Sequence, residues 1–228
     1  MRVQEIRPSF LFDLDGTLVD SVYQHVLAWH EVLARAGIEL SVWRIHRRIG
    51  MSGGLFVNAL AREIGKRLSA EETKRLRDEH AEAFVRRSGE VRPLPGAHEL
   101  LSELNRFNVP WAIATSGNPT TAGPTIALLG VEPKVVITRD DVRHAKPDPD
   151  LFLAAADRLN VDIENSIVVG DSVWDLLAAQ RARSLGVGLL SGGYGRQELL
   201  EAGAYRVYED PRDLLHHLDE VGVRATPS

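Results

Sequence analysis

Phe10-Leu11-Phe12-Asp13-Leu14-Asp15-Gly16-Thr17-Leu18 is the stretch from which the fold is read. A short apolar run ending in acid and glycine has the form of a buried parallel strand that stops at a loop, because a strand covered on both faces needs no polar alternation. Four more apolar runs follow, Val109 to Thr115, Lys134 to Thr138, Ser166 to Gly170 and Val187 to Leu190, separated by helical patterns. Alternation of that kind predicts βαβ units. The expected fold class is α/β, a Rossmann-like three-layer core with a parallel sheet covered on both faces.

Between the first and second runs, roughly residues 20 to 90, there is no strand pattern, and the interval reads as helical throughout. Ser21 can cap a helix running to Gly37, Ser41 a shorter one through Ile49, and Ser69-Ala70-Glu71-Glu72 is a capping box opening a helix that ends near Gly89. A block of helices inserted after the first strand is a second domain. Its expected hinges are Thr17 to Ser21 and Arg92-Pro93-Leu94-Pro95-Gly96, whose prolines and glycine interrupt helix and strand alike. The expected division is an α/β core of residues 1–19 and 93–228 and an all-helical domain of residues 20–92.

The composition agrees with this plan. With 228 residues, 44% apolar and 26% charged, the chain can bury one sizeable core and a small second one. A formal charge of -5 argues against a general nucleic-acid binder, which carries a basic excess. The absence of cysteine removes disulfides, thiolate-bound zinc, iron-sulfur clusters and cysteine nucleophiles together, so a bound metal must be held by oxygen or imidazole. No segment approaches the ~20 apolar residues of a membrane span, and no apolar stretch follows a basic start. The expectation is a cytoplasmic protein without membrane or nucleic-acid partners, acting on a small molecule as a monomer or homodimer.

Open parallel sheets bind ligands at the carboxyl ends of their strands. Asp13 ends the first strand, Thr115 the second, Lys146 lies on the approach to a later helix, and Gly170-Asp171 ends a further strand, so all four converge on one rim. Asp13 and Asp15 can divide the labour there: one carboxylate attacks phosphorus to form an acyl phosphate, while its neighbour donates a proton to the leaving oxygen and later takes one from water. Magnesium prefers hard oxygen ligands, which makes Asp13 and Asp171 natural ligands with help from the Asp15 backbone carbonyl. The Thr115 hydroxyl, the backbone N–H groups of Ser116 and Gly117 and the Lys146 ammonium would supply donors to the phosphoryl oxygens, with Asn118 beside them.

Asp13-Leu14-Asp15-Gly16-Thr17-Leu18, Ala114-Thr115-Ser116, Ala145-Lys146-Pro147-Asp148-Pro149 and Gly170-Asp171-Ser172-Val173-Trp174-Asp175 resemble, in order, the four motifs of the haloacid dehalogenase superfamily. The resemblance covers nearly the whole chain, and the helical insert falls where that family carries its cap. It implies a nucleophile at Asp13, a general acid/base at Asp15, phosphate binding by Thr115 and Lys146, and metal binding by Asp13, Asp15 and Asp171. Asp175 resembles the family's further acid, acting on the metal shell or on Lys146. The dehalogenase itself lacks the second aspartate present here as Asp15, so phosphoryl transfer is implied. Asp20 to His25, with Trp29 one turn later, resembles the branch of β-phosphoglucomutase and its phosphatase relatives, where a histidine at the place of His25 helps hold the acid/base.

One departure bears on the reaction. In the mutases a cap arginine follows a Gly-x-Ser turn and grips a second phosphate, and phosphonoacetaldehyde hydrolases place a lysine near the same spot. Here Gly50-Met51-Ser52 is followed by Gly53. The turn offers Arg47, Arg48 and Ser52 for selecting the leaving group. The expected activity is magnesium-dependent hydrolysis of a small phosphorylated metabolite through a phospho-aspartate. The alternatives are a sugar-phosphate mutase and a catalytically inert phosphometabolite-binding module.

Overall fold

The computed structural model describes residues 8–63, 65 and 67–223, so residues 1–7 and 224–228 of the expected core and residues 64 and 66 of the expected helical domain lie outside it. Its strands are β1 (Ser9–Phe12), β2 (Val19–Asp20), β3 (Arg92–Pro93), β4 (Trp111–Ala114), β5 (Val136–Ile137), β6 (Ser166–Gly170), β7 (Leu185–Leu189) and β8 (Ala204–Tyr208). Its helices are α1 (Val22–Arg35), α2 (Val42–His46), α3 (Gly53–Glu63), α4 (Ala70–Val85), α5 (Ala97–Arg106), α6 (Pro119–Ala127), α7 (Asp150–Leu159), α8 (Val173–Ala182), α9 (Arg196–Glu201) and α10 (Pro211–His216). Six strands form one parallel sheet in the order β5-β4-β1-β6-β7-β8.

β1 is central because all four of its residues are buried and its two faces feed different layers. Phe10 and Phe12 pack with Leu100, Leu101 and Leu104 of α5 and Leu214 of α10. Leu11 turns to the opposite layer, with Phe152 and Ala155 of α7 and Ala178 of α8. This split follows from the two-residue period of a strand. The chain runs outward from β1 through β4 to β5, then crosses back to β6 and runs outward again through β7 and β8, so the strand order reverses at β1. A crevice forms at the carboxyl ends of strands where such a reversal occurs.

Helices α1 to α4 are inserted between β2 and β3. α1 packs against α2 and α4, and α3 packs against α4, around the buried side chains of Val26, Trp29, Leu33, Phe56, Leu60 and Phe84. α4 opens with the expected capping box: the Glu72 N–H donates to Ser69 Oγ at 3.1 Å and the Ser69 N–H to Glu72 Oε2 at 2.8 Å. Ser21 precedes α1 but makes no side-chain cap, its hydroxyl donating instead to Asp15 Oδ1 at 2.6 Å.

Three strands have no counterpart in the apolar runs. β2 and β3 form a two-stranded antiparallel ribbon, Val19 opposite Pro93 and Asp20 opposite Arg92, which ties together the two chain crossings between insert and sheet. A two-residue strand containing proline is too short to carry a period. β8 buries Ala204, Val207 and Tyr208 but exposes Tyr205 and Arg206, as an edge strand does. Among the described residues no helix is long and apolar enough to cross a membrane.

Candidate active site

The loop after β1 is a tight turn in which the Leu14 carbonyl accepts N–H groups of Thr17 (3.2 Å), Leu18 (2.9 Å) and Val19 (3.2 Å). Gly16 enables it with φ at +80°, and a Cβ there would come within 2.6 Å of Asp171 Oδ2. The turn is thereby pressed against the end of β6, where Thr17 Oγ1 donates to Asp171 Oδ1 at 3.0 Å. On the other side, the loop after β7 closes over the same carboxylate: a Cβ at Gly192 would overlap Asp171 Oδ2 at 1.7 Å, and Ser191 Oγ donates to the Gly16 carbonyl at 2.6 Å. The Ser191-to-Gly195 loop therefore packs on a carboxylate.

Lys146 is fully buried, its ammonium hydrogen-bonded to Asp13 and 2.8 Å from Asp175 Oδ1. The other Asp175 oxygen accepts the Ser172 N–H at 3.1 Å and hydroxyl at 2.5 Å, so both oxygens of this acid already have partners. Carboxylate oxygens of Asp13, Asp171 and Asp175 lie within 4.8 Å of one another. Two of the three acids share one ammonium, and Asp171 has no cationic partner among the described residues. Burial pushes the Asp13 carboxyl up to about 7 against the pull of Lys146, with Asp175 and Asp15 adding to the rise. Asp171 is also raised well above the usual carboxylate range, by burial first and then by Asp175 and Asp13. Burial works against the Lys146 charge, yet Asp13 and Asp175 outweigh it and hold the ammonium above its ordinary value. An all-oxygen, net-negative, buried cluster of this kind fits a hard divalent cation, whose charge would offset the burial and repulsion that raise Asp13 and Asp171. Asp13 and Asp171 suit direct ligation better than Asp175.

The Asp15 side chain belongs to a different group, and its carboxylate is not part of that acidic cluster. Its Oδ1 accepts from Ser21 and lies 3.2 Å from His25 Nε2. Burial opposes its charge, but His25 and the Ser21 hydroxyl outweigh burial and hold the carboxyl below its ordinary value. Behind His25, its Nδ1 meets His80 Nε2 at 3.2 Å. The His25 ring stacks on Phe84 (centroids 3.8 Å apart) and the His80 ring on Trp29 (4.1 Å). His80 is held well below the ordinary histidine range, by burial first and then by His25. A row of rings thus runs from Asp15 into the insert.

At the end of β4, Thr115 Oγ1 accepts the Gly117 N–H at 3.0 Å, Asn118 caps α6 by accepting the Thr121 N–H at 3.0 Å, and Ser116 Oγ donates to the Gly50 carbonyl at 2.9 Å. These residues face a cleft with a cavity volume of about 80 Å³, partly open to solvent. The sheet rim lines it with Asp13, Asp15, Thr115, Ser116, Gly117 and Asn118, and the insert with His25, Trp29, Arg48, Phe56, Arg77 and His80.

The turn between α2 and α3 is docked on the sheet rim. Tyr194 Oη donates to the Arg47 carbonyl and His46 Nε2 meets the Gly192 carbonyl, both at 2.8 Å, while the Ser52 N–H reaches the Lys146 carbonyl at 3.4 Å. Arg47 pairs with Glu198 and lies over the Tyr194 ring, outside the cleft. Arg48 lines the cleft but pairs with Glu63. Ser52 is buried and outside the lining, its hydroxyl accepting the Leu55 N–H at 3.4 Å. Of the three turn residues, only Arg48 reaches the cleft. Arg77 and His80 do so from a polar helix, and sequence reasoning gave neither a role. The signal available was their spacing: Arg77, His80 and Phe84 lie three and four apart and share one helical face.

Comparison with known proteins bears directly on this rim. A family model described as haloacid dehalogenase-like hydrolase matches residues 9–183. The chain belongs to that family. Among curated relatives of this haloacid dehalogenase-like hydrolase, hexitol phosphatase A of Escherichia coli strain K12 is 35% identical over 176 residues, covering 76% of this chain and 78% of the relative. The crystal structure of a hydrolase from Pseudomonas syringae superposes with a TM-score of 0.93 at 53% identity, covering 95% of this chain and 100% of that one. β-Phosphoglucomutase from Clostridium difficile superposes with a TM-score of 0.82 at 24% identity over 94% of this chain and 96% of that one, a likeness of fold.

Proposed function

We propose that the chain is a magnesium-dependent phosphatase that hydrolyses a small phosphomonoester through a phospho-aspartate at Asp13. The observation carrying this reading is the separation of two carboxylates on one loop: Asp13 sits with Lys146, Asp171 and Asp175, whereas Asp15 sits with Ser21 and His25. Such a pair has distinct environments and hence distinct roles. The named function of the 35% identical relative, a phosphatase, supports the same reading.

In the first step an Asp13 oxygen forms a bond to phosphorus as the bond to the leaving alcohol breaks, and Asp15 delivers a proton to the departing oxygen. Asp15 must be protonated for that step, and an arriving phosphate dianion beside it raises its proton affinity while His25 holds it in place. In the second step Asp15 takes a proton from water as the water oxygen attacks phosphorus, the bond to Asp13 breaks, and phosphate leaves with the carboxylate restored. Thr115 and Lys146 donate to the phosphoryl oxygens, and Ser116, Gly117 and Asn118 shape the rim around them. When bound, a magnesium ion would be held by Asp13 and Asp171 with help from the Asp15 backbone carbonyl, while Asp175 fixes Lys146, and it would supply charge neutralisation between the anionic nucleophile and the anionic ester.

Residues 20–92 act as a cap over residues 1–19 and 93–228, and the contacts from His46, Arg47, Gly50 and Ser52 to the sheet rim are those of a closed cap that limits water. The test is phosphate release from a panel of sugar, polyol and short-chain phosphomonoesters, followed by phosphorus NMR. Release without interconversion of β-glucose 1-phosphate and glucose 6-phosphate is expected. Isomerisation outpacing release would make the enzyme a mutase.

A further inference from the structure

The cleft contains a cation that the chemistry above leaves unused. Of the cationic side chains lining it or reaching its floor, Lys146 is taken by Asp13 and Asp175, and Arg48 by Glu63 and the Arg44 carbonyl. Arg139 donates to its own loop, to the carbonyls of Val142 at 2.7 Å and Arg143 at 3.3 Å. Arg77 of α4 lines the same cleft, half-buried, and makes no hydrogen bond or ion pair with any described residue. Its neighbours on the helix pair among themselves, Lys74 with Asp78 and Arg75 with Glu79, so those acids are already engaged.

Room for Arg77 is made by Gly53. A Cβ at position 53 would sit 3.3 Å from Arg77 Cγ, 3.6 Å from its Cδ and 3.5 Å from Trp29 Cζ2. The aliphatic stem of the arginine therefore passes over the glycine. Loss of a cationic side chain at position 53 does not empty this wall of positive charge; the charge comes from another helix. An arginine with unclaimed donors, set beside Trp29 and Phe56 where apolar walls lower the local dielectric, is suited to a planar or tetrahedral oxyanion.

We propose that Arg77 is a specificity-determining residue that binds a second anionic group on the substrate, a carboxylate or a second phosphate, at the insert wall of the cleft while the scissile phosphate lies at the sheet rim. This rests on the phosphatase reading for the position of the scissile phosphate. The substrate class is then phosphomonoesters of acids or bisphosphorylated sugars, in preference to neutral sugar or polyol monophosphates. Gly53 serves the same end by leaving the stem its path.

The experiment compares matched esters: 3-phosphoglycerate with glycerol 3-phosphate, 6-phosphogluconate with sorbitol 6-phosphate, and fructose 1,6-bisphosphate with fructose 6-phosphate. The first two pairs report a carboxylate and the third a phosphate. For at least one pair, kcat/KM is expected to favour the anionic member by about tenfold to hundredfold, the worth of a charge-assisted contact, with the difference mainly in KM. In Arg77→Met that ratio should fall to near unity, with Arg77→Lys between the two. Gly53→Val, which crowds the stem, should lower it as well. Binding of the same pairs, measured by calorimetry on Asp13→Asn with and without Arg77→Met, needs no turnover. Absence of phosphate release from every ester would therefore sink the phosphatase reading alone, and the Kd ratios would still decide on Arg77. A ratio near unity for every pair in the unmodified protein, or one that survives Arg77→Met in a folded variant, overturns the proposal.

Discussion

Replacing Lys146 by methionine removes the only cation within reach of Asp13 and Asp175 among the described residues and substitutes an apolar chain of similar length. The ammonium is fully buried, so no water replaces it without rearrangement. Breaking a buried ion pair from one side costs about 3 to 5 kcal/mol, because the remaining charge is left uncompensated. For a chain of this size that corresponds to a fall in Tm of roughly 6 to 20 °C. The pH dependence has a definite sign. Below pH 7 Asp13 already holds its proton in the folded wild type, since burial pushes it up to about 7, so Lys146 contributes less there. Above pH 7 the wild type can ionise Asp13 against Lys146, whereas the variant cannot, and the deficit widens. Calorimetry of both proteins in chelator at pH 6 and pH 8 reads this directly. A variant that melts within about 2 °C of wild type at pH 8, or a deficit larger at pH 6 than at pH 8, would refute the electrostatic account of the cluster.

Two other expectations concern the insert and the metal. His80 is held well below 6.5, so below that pH the unfolded chain binds a proton that the folded state refuses, and wild-type stability falls as the solution is acidified. His80→Phe should reduce the slope of stability between pH 7 and pH 5 by up to about 1.4 kcal/mol per pH unit, measured by urea unfolding; unchanged slopes would show that His80 titrates normally. Chelator should abolish phosphate release, magnesium restore it, and calcium inhibit, because its longer and less regular coordination misplaces nucleophile and phosphate. Full turnover in excess chelator would contradict the role given to Asp13 and Asp171.

Much of the architecture is legible in short stretches of sequence. The buried strands declare themselves as apolar runs because both faces are covered, as Phe10 to Phe12 and Ser166 to Gly170 illustrate. β8 and the small ribbon do not: Tyr205 and Arg206 interrupt β8, and the β2/β3 ribbon is only two residues long. Motif acids are legible in type and order, and the Asp15 carboxylate meets His25 as the resemblance implies. The part played by Ser21 is not legible, since its sequence context suggests a helix cap while its hydroxyl donates to Asp15 instead. Ser52 and Arg47 sit in the correct turn yet serve its docking, Ser52 through the Lys146 carbonyl and Arg47 through Tyr194 and Glu198, which come from a loop and helix 147 and 151 residues further along. Arg77 and His80 lie on a helix whose composition is mostly polar, and only the packing of α4 against α1 and α3 brings their face to the cleft.

Chemistry at Asp13 is the centre of the account, and trapping the intermediate tests it most directly. The magnesium-loaded enzyme is mixed with saturating phosphomonoester, quenched in acid within milliseconds, and treated with borohydride, which reduces an acyl phosphate to an alcohol; peptides are then mapped by mass spectrometry. The expected result is conversion at Asp13 alone, dependent on substrate and absent from an Asp13→Asn variant that retains its fold but releases no phosphate. Conversion at another carboxylate, or steady phosphate release by Asp13→Asn, would contradict the assignment of Asp13 as the nucleophile.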